Sequence, residues 1–328
     1  MQISGGVVLS GGVNLAPGSG GSSGGAYSFQ GSNFGYTSGG YAGEFAPVLR
    51  VNTIDKFPFS SDGNATDAGD LTVGCSGGAG HSSSSSGYNS GGYSTSVLTI
   101  IQKFSFSSDG NATDAGDLSV ARMTHAGQSS SANGYASGGF NSGFSFINNI
   151  DKFSFASDGN GSDIGDITYS ASSVTGQSSS DNGYTSGGKI NTPPMINTID
   201  KFPFASDSNA TDVGDLTVLK AQAAGQSSSV SGYASGSRDD TNDSLLNIID
   251  KFAFASDGNA SDVGDLTESK GAVCGTSSTN HGYTHGGFAG SYSVPLDSID
   301  KFPFASDGNA TDVGDLTQAR NFGAGQQY

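Results

Sequence analysis

Six times along the chain the same oxygen-bearing side chains recur at fixed offsets. They are Asp62, Asn64, Thr66, Asp67 and Asp70 in the first copy, and Asp307, Asn309, Thr311, Asp312 and Asp315 in the last. Oxygen ligands at such spacing are what a hard cation such as calcium takes, yet the loop lacks the central glycine and the bidentate glutamate of a calcium loop. Asp, Asn, Gly and Thr are equally the residues of a tight turn, through side chain to backbone hydrogen bonds and tolerance of left-handed backbone. Turn chemistry accounts for the pattern without a metal, and no cofactor is expected. Four histidines offer base or ligand chemistry, but His81, His125, His281 and His285 sit at unrelated offsets in their units, apart from the pair flanking Tyr283. The four arginines, Arg50, Arg122, Arg238 and Arg320, form no sequence cluster, and Cys75 and Cys274 occupy different offsets, which argues against a designed disulfide. An enzyme needs a singular convergent constellation. Identical side chains at six equivalent places do not provide one, so no catalytic residues are expected.

The elements that carry these residues are set by a repeat. Ile54, Ile101, Ile150, Ile199, Ile249 and Ile299 follow one another at 47, 49, 49, 50 and 50 residues, each opening an I-(D/Q)-K-F-x-F run. Ahead of each stands a Gly-Tyr pair, at Tyr36, Tyr88, Tyr135, Tyr184, Tyr233 and Tyr283, and 16 residues after each Ile comes Asp-Leu or Asp-Ile. Every unit reads as four short strands, a to d (A-G-Q-S-S, G-Y-x-S-G-G, N-x-I-D-K-F-x-F and D-x-G-D-L-T), bounded by Gly, Ser, Asp and Asn. Helical periodicity is missing. Four strands per unit of about 47 to 52 residues is the blade of a β-propeller, so the reading is an all-β, six-bladed propeller.

The Phe pairs, Phe57 with Phe59 through Phe302 with Phe304, place two rings on one face of strand c, where neighbouring blades press together. The Asp-Lys pair that precedes them, Asp55-Lys56 and its equivalents, is expected to form a ring of ion pairs within or between blades. Closure is legible at the ends. Ala324-Gly325-Gln326-Gln327-Tyr328 matches the start of strand a in Ala126-Gly127-Gln128 and stops, while Ser32 to Tyr36 supplies strand b with no strand a before it. The C-terminus should therefore complete the first blade. This leaves a Gly-rich arm at residues 1–31 and a propeller at 32–328.

With 53 Gly the composition is disorder-like, but the fixed positions of 20 Phe and 12 Tyr contradict disorder. A net charge of −17 argues against nucleic acid or an anionic membrane as partner. The first residues, Met-Gln-Ile-Ser-Gly-Gly, hold neither a basic region nor an apolar run, so neither a signal peptide nor membrane insertion is expected, and synthesis in a host cytoplasm is.

The unit resembles a kelch-type blade of galactose-oxidase-like propellers: G-Y-x-S-G-G takes the place of the hydrophobic run with double Gly, and L-x-x-A-R at Leu118 to Arg122 and Leu316 to Arg320 that of L-x-x-x-R. The longer wording, N-T-I-D-K-F-P-F-A-S-D-G-N-A-T-D-V-G-D-L-T, is similar to propeller proteins of marine tailed phages, above all those infecting cyanobacteria. That resemblance implies a virion structural protein on a tail, fibre or capsid surface, contacting other virion proteins or a host-surface glycan or protein. A carbohydrate-binding extracellular propeller is the alternative.

Length varies only between the double Gly and the next Ile, at connections that topology gathers on one rim. They hold the singular side chains: Tyr41, Phe45, Tyr93, Phe140, Phe144, Phe146, Lys189, Met195, Arg238, Asp239, Phe288 and Tyr292. Divergence among copies of one repeat is what contact with an asymmetric partner would leave. The arm offers Ile3, Val7, Val8, Leu9, Val13 and Leu15 on a Gly-rich backbone, suited to strand addition to another virion subunit.

Overall fold

The computed structural model describes residues 29–43, 49–192, 194–239, 244–290 and 294–328. Six four-stranded antiparallel sheets, each in the order a-b-c-d, form a ring of six blades. In the third blade strand a is Ala126–Ser129, b is Asn133–Ser137, c is Asn149–Ser154 and d is Ser162–Asp166. The first blade takes strand a from the C-terminus: Ala324–Gln327 pairs with Phe34–Ser38, Gly35 opposite Gln327 and Ser38 opposite Ala324. The backbones of Asn33 and Phe34 both donate to the Tyr328 carbonyl, which finishes the closure. Strand d is shorter than the D-x-G-D-L-T reading, ending at the second Asp, and a bulge recurs where it meets strand c, as between Ile150 and Asp151. In two blades strands b and c run past the double-Gly position into longer hairpins, Asn182–Lys189 with Met195–Pro203 and Ser231–Asp239 with Ser244–Ala253.

Aromatic rings hold blade to blade. Tyr88 of strand b stacks on Phe155 of the next blade at 4.8 Å and meets Phe153 at 5.8 Å, and the same trio recurs around the ring to Tyr283 against Phe59 and Phe57. Each such pair adds about 0.5–1.5 kcal/mol beyond the area it buries. The Gly before each Tyr leaves room for the ring: a Cβ on Gly134 would collide with Phe153. Nearer the axis the Gln of A-G-Q bolts strand a to the following blade, Gln128 Nε2 donating to the Tyr184 carbonyl at 2.9 Å and to Ser137 Oγ at 2.9 Å.

The Asp-Lys pair of strand c does not form one ring of ion pairs; it splits into two sets. Each Lys is half-buried and reaches the c-d loop of the next blade, Lys103 to Asp158 at 2.9 Å and Lys251 to Asp307 at 2.8 Å, with Lys301 to Asp62 closing the circle. Each Asp is buried, and four of the five face a cation from the linker that leads into their own blade: Asp151 with Arg122 at 2.8 Å, Asp250 with Lys220 at 3.0 Å, Asp300 with Lys270 at 3.1 Å and Asp55 with Arg320 at 3.0 Å. In the second blade both charges are gone together. Gln102 replaces the Asp, Cys75 the cation, and Gln102 Oε1 accepts from Thr72 and from the Val73 backbone.

The fourth blade keeps the acid and loses the cation. Asp200 is 4% exposed, and Ala171 stands where Arg122 stands one blade earlier. Among the described residues its carboxylate accepts only from the Thr168 backbone and hydroxyl, and burial pushes its pKa up, against the lowering by those hydrogen bonds. A carboxyl whose pKa is higher folded than unfolded lowers stability as pH rises through that interval. Asp200→Asn should therefore raise the melting temperature by a few degrees at pH 7 and lose that advantage near pH 3, where the wild-type carboxyl is already protonated. Thermal melts of both proteins at the two pH values check this, and a lower melting temperature for the variant at pH 7 contradicts it.

Candidate binding face

The two ends of the ring differ. At one rim lie the a-b turns and the c-d loops, built almost identically six times. Asn111 Oδ1 of one loop accepts from the Asp70 backbone of the preceding blade at 3.1 Å, and Asp67 Oδ1 accepts from Gly69 at 2.9 Å within its own strand. With the first acid of each loop on the preceding blade's Lys, three of the five oxygen-bearing positions are engaged in architecture, which agrees with turn chemistry. Among the described residues no group of three or more His, Cys, Asp or Glu is arranged to hold a metal. We expect melting temperatures in EDTA and in millimolar calcium to agree within ~2 °C, since diffuse attraction to exposed acids is screened; a rise of many degrees with calcium would sink this.

The other rim gathers the b-c connections and the d-a linkers. The first residue after the double Gly pairs with the linker into the same blade, giving Tyr41 to Asn321, Tyr93 to Ser76, Phe140 to Met123, Lys189 to Ser172, Arg238 to Ala221 and Phe288 to Gly271. Each irregular loop is thereby fixed at its root to a regular frame. Of the residues expected to form a binding rim, Phe144 is 63% exposed at a hairpin tip, and Phe140 meets Phe146 at 4.5 Å in a tilted pair. Arg50 lies over the Tyr93 ring at 4.4 Å. Tyr41, Lys189, Arg238 and Asp239 are half-buried. Met195 and Phe288 are buried, packing beneath the rim and offering almost no surface. Phe45, Tyr292 and the arm residues Ile3, Val7, Val8, Leu9, Val13 and Leu15 lie outside the described residues.

The linkers also form a collar about the axis. Gly77, Thr124, Ser173, Gln222, Ala272 and Phe322 hold equivalent places, all in the left-handed backbone region, with φ from 52° to 68°. Backbone hydrogen bonds run round them: Gly77 to the Phe322 carbonyl, Thr124 to Gly77, Ser173 to Thr124, Gln222 to Ser173 and Phe322 to Ala272. Five of the six carry side chains in a conformation that favours glycine. Below the collar runs a channel of about 130 Å³ lined by strand a, reached at the repetitive end by Phe29. There Gln327 Nε2 donates to the Phe29 carbonyl at 2.9 Å and Gln30 Nε2 to the Ser227 carbonyl at 3.0 Å, so the chain enters the ring on its axis at the repetitive face. Above the collar a crater of about 380 Å³ opens, walled by Tyr41, Arg238, Phe288, Phe322, Asn321 and Gln222 together with Ser76.

Two features here were hidden from the sequence. Gln222, Asn321 and Phe322 lie in linkers of constant length, where no length signal marks them. His81 and His125, from successive blades, meet on Ser90, whose Oγ lies 2.8 Å from His81 Nε2 and 3.1 Å from His125 Nε2. All three are buried, which withholds the Ser from substrate. Burial holds the His81 pKa down to about 4 and that of His285 down to about 3, and lowers His125 well below the ordinary value. Histidines that protonate more readily unfolded than folded cost stability as pH falls from about 6.5 towards 4. The melting temperature should accordingly be lower at pH 5 than at pH 7, and His81→Gln, the residue four other blades use there, should lessen the difference. An unchanged difference in the variant counts against it.

No protein-family model and no characterised protein matches this chain.

Proposed function

We propose that the chain is a non-enzymatic structural and adhesion protein of a virus particle: a kelch-like propeller mounted on a tail, fibre or capsid surface through its Gly-rich arm, with the irregular face turned to partner subunits or to the host. The observation that carries this reading is the division between the two faces. One repeats the same Asn, Asp and Lys interactions six times, while the other carries loops of different length and chemistry on a common frame. A face that only had to close the ring would have no need of six different loops. Entry of the chain on the axis at the repetitive face supports the same polarity, because it sets the arm's point of departure opposite the irregular loops. The virion assignment rests on the resemblance of the repeat wording to marine phage propellers. Its partners are other virion proteins through the arm and a host-surface glycan or protein through the face, with no nucleic acid and no membrane insertion. Deletion of residues 2–25 tests it: the truncated protein should melt as the full chain does and yet be missing from purified particles by mass spectrometry. Undiminished incorporation would show that the ring itself is the anchor.

A further inference from the structure

The crater on the axis is more sharply built than a surface for general protein contact requires. Its wall brings together two aromatic rings that keep open surface, Tyr41 and Phe322, a third ring beneath them in Phe288, two amides and a guanidinium. Among the described residues no carboxylate lines it. Asn321 is 5% exposed, and both its side-chain oxygen and that of Gln222 are buried with no hydrogen-bond partner. An unpaired buried acceptor costs about 1–3 kcal/mol, so the fold alone leaves these two groups unsatisfied. The collar that presents them is tied by backbone hydrogen bonds at five of its six junctions, the exception lying between Gln222 and Ala272, and keeps Gln222 and Phe322 at φ of 61° and 52°. Gly77 shows that glycine fits the same place.

From these observations we infer that the crater binds one pyranose residue of a neutral glycan. A sugar ring has an apolar C–H face that lies on an aromatic side chain and an equatorial edge of hydroxyls that both donate and accept hydrogen bonds. Those two surfaces match the Tyr41 and Phe322 rings on one side and the Asn321 and Gln222 amides on the other. The volume, about 380 Å³, is at the small end of ligand pockets and suits a single sugar better than a peptide segment. Because the collar's hydrogen bonds are already made without a ligand, little ordering of its backbone is left to occur on binding. This deepens the adhesion reading and rests on it for the choice of face.

The experiment is saturation-transfer NMR on the full chain with D-glucose, D-galactose, D-mannose, N-acetyl-D-glucosamine, L-fucose and L-rhamnose, each at millimolar concentration. At least one sugar should receive saturation at its ring protons. Phe322→Gly relieves the left-handed backbone and Asn321→Ala removes an unsatisfied oxygen, so both variants should fold. Each should weaken that sugar's binding roughly tenfold, which corresponds to ~1.4 kcal/mol. Transfer to none of the six sugars overturns the inference, as does transfer that survives both substitutions. A second substitution set, Phe144→Asp with Tyr93→Ser, probes the outer rim: loss of cell attachment in that variant alongside absent sugar binding would leave the adhesion reading standing and remove only the saccharide.

Discussion

Gly225→Ala should lose about 3 kcal/mol, a drop of roughly 5 °C in melting temperature for a domain of this size. Strand a of each blade lines the axis, and its glycines, Gly80, Gly127, Gly176, Gly225, Gly275 and Gly325, touch one another in a closed circle. A Cβ on any of them would lie closer than 3.0 Å to the carbonyl oxygen of the neighbouring glycine, a separation that real Cβ atoms essentially never show. What it would strike is backbone in a paired strand, so nothing gives without moving a whole blade. The control is Gly308→Ala on the c-d loop, where a Cβ meets nothing within 4 Å. The fourth blade already carries Ser208 at that place, and the substitution should change stability by less than ~0.5 kcal/mol. Equal melting temperatures for the two variants would remove the axial circle as a determinant of the fold.

The axial glycines mark the boundary of what the repeat discloses. Spacing sufficed for blade number, strand order, the aromatic contacts and the C-terminal closure, because each follows from period and strand alternation. The strand-a wording showed that each copy has a glycine there, but that six of them touch in a circle about the axis depends on how far the strands tilt towards it. The fate of Asp55 and Lys56 was lost for a similar reason. Neighbours in sequence on strand c, they point to opposite sides, and their partners come from other elements at separations of 265 residues for Arg320 and 53 for Asp109. One signal was present and unread: the single copy with Gln102 for Asp is also the copy with Cys75 for Arg or Lys. Two departures at the same junction, one acidic and one basic, point to an ion pair, although Ala171 beside a retained Asp200 breaks the pattern. The lining of the crater was half legible. Loop length marked the rim on which it opens and, within it, Tyr41, Arg238 and Phe288, while Asn321 and Phe322 sit in linkers of constant length and become visible only when the linkers close into a collar.

Removing Arg122 tests the buried pairing directly. Its guanidinium is fully buried: besides a long contact from Nε to the Val120 carbonyl at 3.5 Å, Nη1 donates to the carbonyls of Ala136 at 3.0 Å, Gly138 at 3.2 Å and Asn149 at 2.9 Å, and Nη2 to Asp151 Oδ1 at 2.8 Å. Arg122→Ala takes away the counter-charge and leaves Asp151 with the Ser119 backbone and hydroxyl alone. Breaking one side of a buried pair costs about 3–5 kcal/mol, more than the pair contributes against an apolar substitute, because the remaining charge stays desolvated. The second blade shows how the chain avoids that cost, so Arg122→Cys combined with Asp151→Gln, which reproduces Cys75 with Gln102, should recover most of the loss. Asp200, opposite Ala171, is the acid that bears this cost, as its raised pKa records. There Met195 is fully buried beneath the loop, and Ile190 and Ile196 pack against the cluster that contains Ala171. The corresponding residue of the third blade, Phe146, is instead paired with Phe140 at the rim. A double-mutant cycle by urea unfolding measures the coupling. Strongly non-additive losses, with the double variant more stable than Arg122→Cys alone, are the expected result, and additive losses would show that Arg122 acts through its carbonyl contacts and not through Asp151.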